Sequence, residues 1–87
     1  IYAMNKKQRQ TLNKILERPE RSDIPWSNIE SLIVALGGEI SEGRGSRVRV
    51  IINDVKAVFH RPHPERVTEK GAVKSVRRFL QEAGVIS

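Results

Sequence analysis

SRVRVIINDVKAVFH, residues 46–60, sets two runs rich in β-branched and aromatic side chains, 46–52 and 55–59, on either side of Asn53-Asp54. Asparagine and aspartate tolerate the positive φ of a tight hairpin loop, so the stretch reads as two antiparallel strands. A two-residue loop fixes the register: Ile52 lies opposite Val55, Val50 opposite Ala57, Val48 opposite Phe59 and Arg47 opposite His60. Side chains alternate across a strand. Val48, Val50, Ile52, Val55, Ala57 and Phe59 therefore share an apolar face, and Arg47, Arg49, Ile51, Lys56, Val58 and His60 share a basic one.

Upstream, Glu42-Gly43-Arg44-Gly45 reads as a turn and 39–41 as a short strand. Before it, Ile29, Leu32, Ile33 and Leu36 follow the i, i+3, i+4, i+7 spacing of a helix that stops at Gly37-Gly38, with Ser27 and Glu30 expected as its capping box. Trp26, beside Pro25, is expected as a hydrophobic-staple residue rather than a reader of bases. Residues 5–18 form another amphipathic pattern, with Leu12, Ile15 and Leu16 on one side and Pro19 as a stop. Downstream, the prolines at 62 and 64 end the second strand. Thr68 is expected to cap a last helix from Lys70 to Ala83, with Val73, Val76, Phe79 and Leu80 inward and Gly84 as its stop. The order helix, helix, three strands, helix predicts an α+β fold: a three-stranded antiparallel sheet with helices on one face and the other face open.

Eighty-seven residues suit one domain. Ile1, Tyr2 and Ala3 precede Met4, the expected natural start, so 1–3 read as an appended remnant and 4–87 as the domain. The absence of cysteine excludes a disulfide framework and a thiolate metal site. No apolar stretch approaches the roughly 20 residues of a membrane helix, so no membrane association is expected and the chain is expected in the cytoplasm.

A net charge of +6 points to a polyanionic partner. Ten of the sixteen lysines and arginines fall within 42–78, beside only four acidic residues. A lone arginine on a strand is usually solvated. Arg47, Arg49, Lys56 and His60 on one surface repel each other, and an anionic ligand would relieve that cost. Arg44, Arg61 and Lys70 extend the patch, and Gly45-Ser46 offers backbone that can approach a phosphate. Imidazole can take and return a proton near neutral pH, which is most of what RNA cleavage through the 2′-OH requires. His60 is thus the candidate base, with Arg47 across the strand stabilising the phosphorane and His63 a second acid or phosphate contact. The spacing of His60 and His63 is a weak metal signal, because only Glu65 lies near and the surroundings are positive; no metal and no cofactor are expected. Scattered carboxylates argue against a two-metal nuclease. A DNA-binding regulator would need a helix-turn-helix partner for the last helix, whose Lys70, Lys74, Arg77 and Arg78 are expected along its outer side.

At GRGSRVRV (43–50), AVFHRPHP (57–64) and GAVKSVRRFLQEAGV (71–85) the chain resembles HicA-type toxins of bacterial toxin–antitoxin pairs, over about Trp26 to Val85. The resemblance implies a double-stranded-RNA-binding-like α-β-β-β-α fold, here with an extra N-terminal helix. It also implies metal-independent cleavage of mRNA and neutralisation by a HicB-type antitoxin bound over the active site. The family's usual motif has glycine, a small residue and then the catalytic histidine at the start of the second strand. Here Gly45-Ser46 is followed by Arg47. Either the imidazole has moved across the ladder to His60, or cleavage is lost and the chain only binds RNA or its antitoxin.

Overall fold

The computed structural model describes residues 3–62 and 66–87. The element order is α1 (Lys6–Leu16), β1 (Ile24–Pro25), α2 (Trp26–Ala35), β2 (Glu39–Glu42), β3 (Arg47–Ile52), β4 (Val55–His60), β5 (Val67–Thr68) and α3 (Lys70–Glu82). β2, β3 and β4 form an antiparallel sheet in that order, and the α+β architecture expected from the sequence is present. The hairpin register matches the expected one at each pair, from Ile52 opposite Val55 to Arg47 opposite His60. Asn53 and Asp54 both adopt positive φ, 49° and 68°, the backbone of a type I′ turn whose twist suits the strands it joins.

That turn is also tied to a helix. Asn53 Nδ2 donates to the carbonyl of Ala83 at the end of α3, at 2.9 Å, and satisfies one of the acceptors a helix C-terminus leaves open. Asn53→Ala would lose this bond and put a Cβ-bearing residue without local hydrogen bonding into left-handed backbone. A destabilisation of about 2 kcal/mol is expected, read by chemical denaturation.

The apolar face of the hairpin forms one wall of the core. Val48, Val50, Ile52 and Phe59 are buried there against Ile29, Leu32 and Ile33 of α2 and Val73, Val76, Phe79 and Leu80 of α3. Trp26 and Phe59 lie 5.8 Å apart between ring centroids, and Phe59 meets Phe79 edge-on at 5.9 Å. α1 packs on α2 and α3 through Ile15, which is fully buried. The two glycines after α2 act differently: Gly37 takes φ +84° to end the helix, whereas a Cβ on Gly38 would stand 2.6 Å from Ile33 Cγ2 and 2.9 Å from Ile52 Cγ1. The second permits close approach of helix and sheet.

Several local expectations are corrected. The capping box of Ser27 and Glu30 does not form, because Pro25 holds the N-cap position with φ −60° and the helix starts a residue earlier, at Trp26. What sets that start is the pairing of β1 with β5, in which Ile24 lies opposite Thr68 and Pro25 opposite Val67. Trp26 consequently is the first helical residue and a buried core residue, not a staple preceding the cap. Thr68 belongs to β5, and Glu69 takes the cap of α3 without a side-chain bond. α1 ends at Leu16 rather than at Pro19, and Leu16 stays exposed while Ile15 faces inward. Arg77, expected outside, is 4% exposed.

Candidate functional site

The turn at 43–46 closes on itself: Gly43 N donates to the carbonyl of Arg47 at 2.9 Å, and Arg47 N to that of Arg44 at 3.1 Å. Gly45 adopts φ +60°, a value glycine reaches without the steric cost a Cβ imposes. Beyond β4, Arg61 N donates to the carbonyl of Ser46 at 2.9 Å, so the ladder continues one step past His60. Arg47 and His60 therefore sit between two hydrogen-bonded pairs. In such a non-hydrogen-bonded pair the side chains stand closest, with Cβ atoms about 4.5–5.5 Å apart. Both residues are exposed on the face that no helix covers. Ser46 Oγ lies 3.4 Å from His60 Nδ1.

Ser46, Arg47 and His60 thus meet at one end of the hairpin, with Arg49 next on the same face, opposite Val58. Arg44 and Gly45 form the adjoining exposed turn. Lys56 shares the face, but four residues from His60 along the strand, about 13 Å away at 3.3 Å per residue. Lys70 opens α3, outside the sheet. His63 lies outside the described residues.

Arg61 differs from the others because its charge is already met. Its Nε donates to Glu30 Oε2 at 2.8 Å and its Nη1 to Glu42 Oε1 at 2.7 Å, and Nη2 reaches Glu42 Oε2 at 2.7 Å. Trp26 Nε1 donates to the same Glu30 carboxylate. This clasp joins α2, the end of β2 and the residue that follows His60, holding the end of β4 in place. Glu30 and Glu42 carried no local signal of it, since they stand 31 and 19 residues from Arg61. Arg61 in turn holds the Glu42 carboxyl below its ordinary value of 4.5. A carboxyl lowered on folding contributes stability above its unfolded value, lost as pH falls through the folded one. Wild type is expected to lose stability as pH falls below about 4.5, and Arg61→Ala to show a flatter dependence there, read as melting temperature against pH.

Between the outer edge of β4 and the first turn of α3 runs a groove of about 800 Å³, with His60 at its lip. Among the described residues no three His, Cys, Asp or Glu side chains cluster as a metal site would require. Among the described residues no helix is long and apolar enough to cross a membrane.

No curated protein and no solved structure matches the chain. The family model described as HicA toxin of bacterial toxin-antitoxin matches residues 26–85, from the start of α2 to just past α3, and so includes the hairpin, its turn and the clasp. The chain belongs to this family of toxins of bacterial toxin–antitoxin pairs.

Proposed function

We propose that the protein is an endoribonuclease toxin that cleaves mRNA in the cytoplasm without a metal, and that a HicB-type antitoxin neutralises it by covering the open face of the sheet. The observation that carries the reading is the cross-strand pair of Arg47 and His60 on the uncovered basic face. Arg47 stands where the family's usual motif places histidine, and His60 is its direct neighbour across the ladder. The imidazole is thereby retained at the same end of the hairpin.

In the proposed reaction His60 takes the proton of a ribose 2′-OH, and the oxygen attacks the adjacent phosphorus. The guanidinium of Arg47 stabilises the charge added to the phosphorane. The bond to the 5′-oxygen breaks, and the imidazolium returns its proton to that oxygen, giving a 2′,3′-cyclic phosphate and a 5′-hydroxyl. Arg44, Arg49, Lys56 and the backbone at Gly45-Ser46 hold the RNA strand. Arg61 acts on this site through its clasp.

The second reading rests on Arg47 itself. Without histidine at that position, the chain would be a non-catalytic homologue that binds RNA or the antitoxin. Purified protein incubated with single-stranded RNA in chelator separates the two. Fragments ending in cyclic phosphate support the enzyme, and intact RNA supports the binding module.

A further inference from the structure

The hydroxyl of Ser46 is not used by the chemistry above, although its Oγ stands 3.4 Å from His60 Nδ1. Ser46 lies in the turn before β3, outside the alternation of the strand, and its carbonyl accepts from Arg61 N at 2.9 Å. The residue that carries the hydroxyl is thereby tied to the residue that follows His60, which keeps hydroxyl and ring at the same end of the hairpin. The neighbouring side chains cannot take this place. Arg47, opposite His60, and Arg49, next along the same face, only donate hydrogen bonds. The carboxylates of Glu30 and Glu42 are engaged by Arg61, and Glu30 also receives Trp26 Nε1. Among the described residues, Ser46 supplies the one side-chain hydrogen-bond partner of the His60 ring.

We infer that Ser46 is a positioning residue for the cleavage: its hydroxyl accepts from the Nδ1–H of His60, fixes the orientation and tautomer of the ring, and leaves Nε2 as the base for the 2′-OH. The inference rests on the ribonuclease reading. A neutral imidazole carries its proton on one nitrogen, and the hydrogen bond made by the ring selects which one. On an open strand face an unheld ring divides between two tautomers and several orientations, of which one presents the base correctly. When Nε2 takes the 2′-OH proton, Nδ1–H stays on Ser46 Oγ and that bond becomes charge-assisted, so it is stronger in the transition state than before it. When Nε2 returns the proton to the 5′-oxygen, the same tautomer is regenerated. A separation of 3.4 Å is long for such a bond, as hydrogen bonds of catalytic groups often are before substrate binds.

Ser46 is exposed, so Ser46→Ala and Ser46→Thr should melt as wild type does. The ¹⁵N chemical shifts of the His60 ring report which nitrogen holds the proton. They are recorded without RNA, at a pH where the ring is neutral, and assigned from the signals that His60→Ala removes. Wild type and Ser46→Thr should hold the proton mainly on Nδ1, whereas Ser46→Ala should shift it mainly to Nε2, the form a free histidine side chain favours. In cleavage of single-stranded RNA, Ser46→Ala should lower kcat by about tenfold with KM changed less than about twofold. Ser46→Thr should return kcat to within about threefold of wild type. The inference is overturned if wild type and Ser46→Ala hold the proton on the same nitrogen, or if Ser46→Ala cleaves at the wild-type rate. Intact RNA with wild type, beside a proton that still moves between wild type and Ser46→Ala, would instead remove the ribonuclease reading and leave only the hydrogen bond.

Discussion

His60→Ala is expected to lower RNA cleavage by about 10²- to 10⁴-fold, the usual contribution of a positioned general acid–base, and to relieve growth arrest. The side chain is exposed and packs against nothing in the core, so folding should change by less than about 0.5 kcal/mol. A melting curve alongside the cleavage assay separates the two effects. Arg47→Ala should also slow cleavage, through lost stabilisation of the phosphorane, by about 10²-fold. The exchange of partners, Arg47→His with His60→Arg, moves the imidazole to position 47 and keeps the guanidinium opposite it, so under the proposed mechanism it should be more active than either single alanine variant. Cleavage by His60→Ala at the wild-type rate would reject relocation of the imidazole.

Arg77→Ala is expected to cost about 3 kcal/mol of stability, which for a domain of this size lowers the melting temperature by roughly 12–24 °C. The guanidinium is buried between α3 and the end of α1. Its Nη1 donates to the carbonyl of Ile15 at 3.2 Å and to that of Glu17 at 3.5 Å, while Nη2 pairs with Glu20. It thereby satisfies acceptors that the last turn of α1 leaves open and places a cation at the negative end of that helix. Removing it leaves buried carbonyls unpaired and empties the volume of the aliphatic stem. Arg77→Lys should recover only part of the loss, because one ammonium cannot reach two carbonyls and a carboxylate in a fixed fork. The same contact gives a pH signature. The Arg77 guanidinium holds the Glu20 carboxyl below its ordinary value, so the stability it contributes is present near neutrality and lost in acid. Arg77→Ala should flatten that acid limb of the melting-temperature profile.

The lock also explains how α1 joins the fold. The family match begins at Trp26, so α1 lies outside it, yet the arginine that fastens α1 belongs to the matched segment. Charge is normally solvated, and the sequence by itself places Arg77 on the outer side of the helix with Lys70, Lys74 and Arg78. Its position one residue after Val76 and two before Phe79 put it beside the buried stripe, where a distant carboxylate and two carbonyls could receive it.

Periodicity and turn chemistry in the chain were enough to specify the hairpin, its register, the inward faces of α2 and α3 and the open side where Arg47 and His60 meet. Those features follow from alternation along a strand, from repeats along a helix and from the positive φ that Asn53 and Asp54 accept, all set by neighbours a few residues apart. Folding in three dimensions decided the partners of Glu30, Glu42, Arg61 and Arg77, the early start of α2 through β1 and β5, and the groove beside β4. Charged and capping side chains can satisfy themselves in many ways locally, and the choice among those ways depends on which elements the buried core brings within about 3 Å of each other.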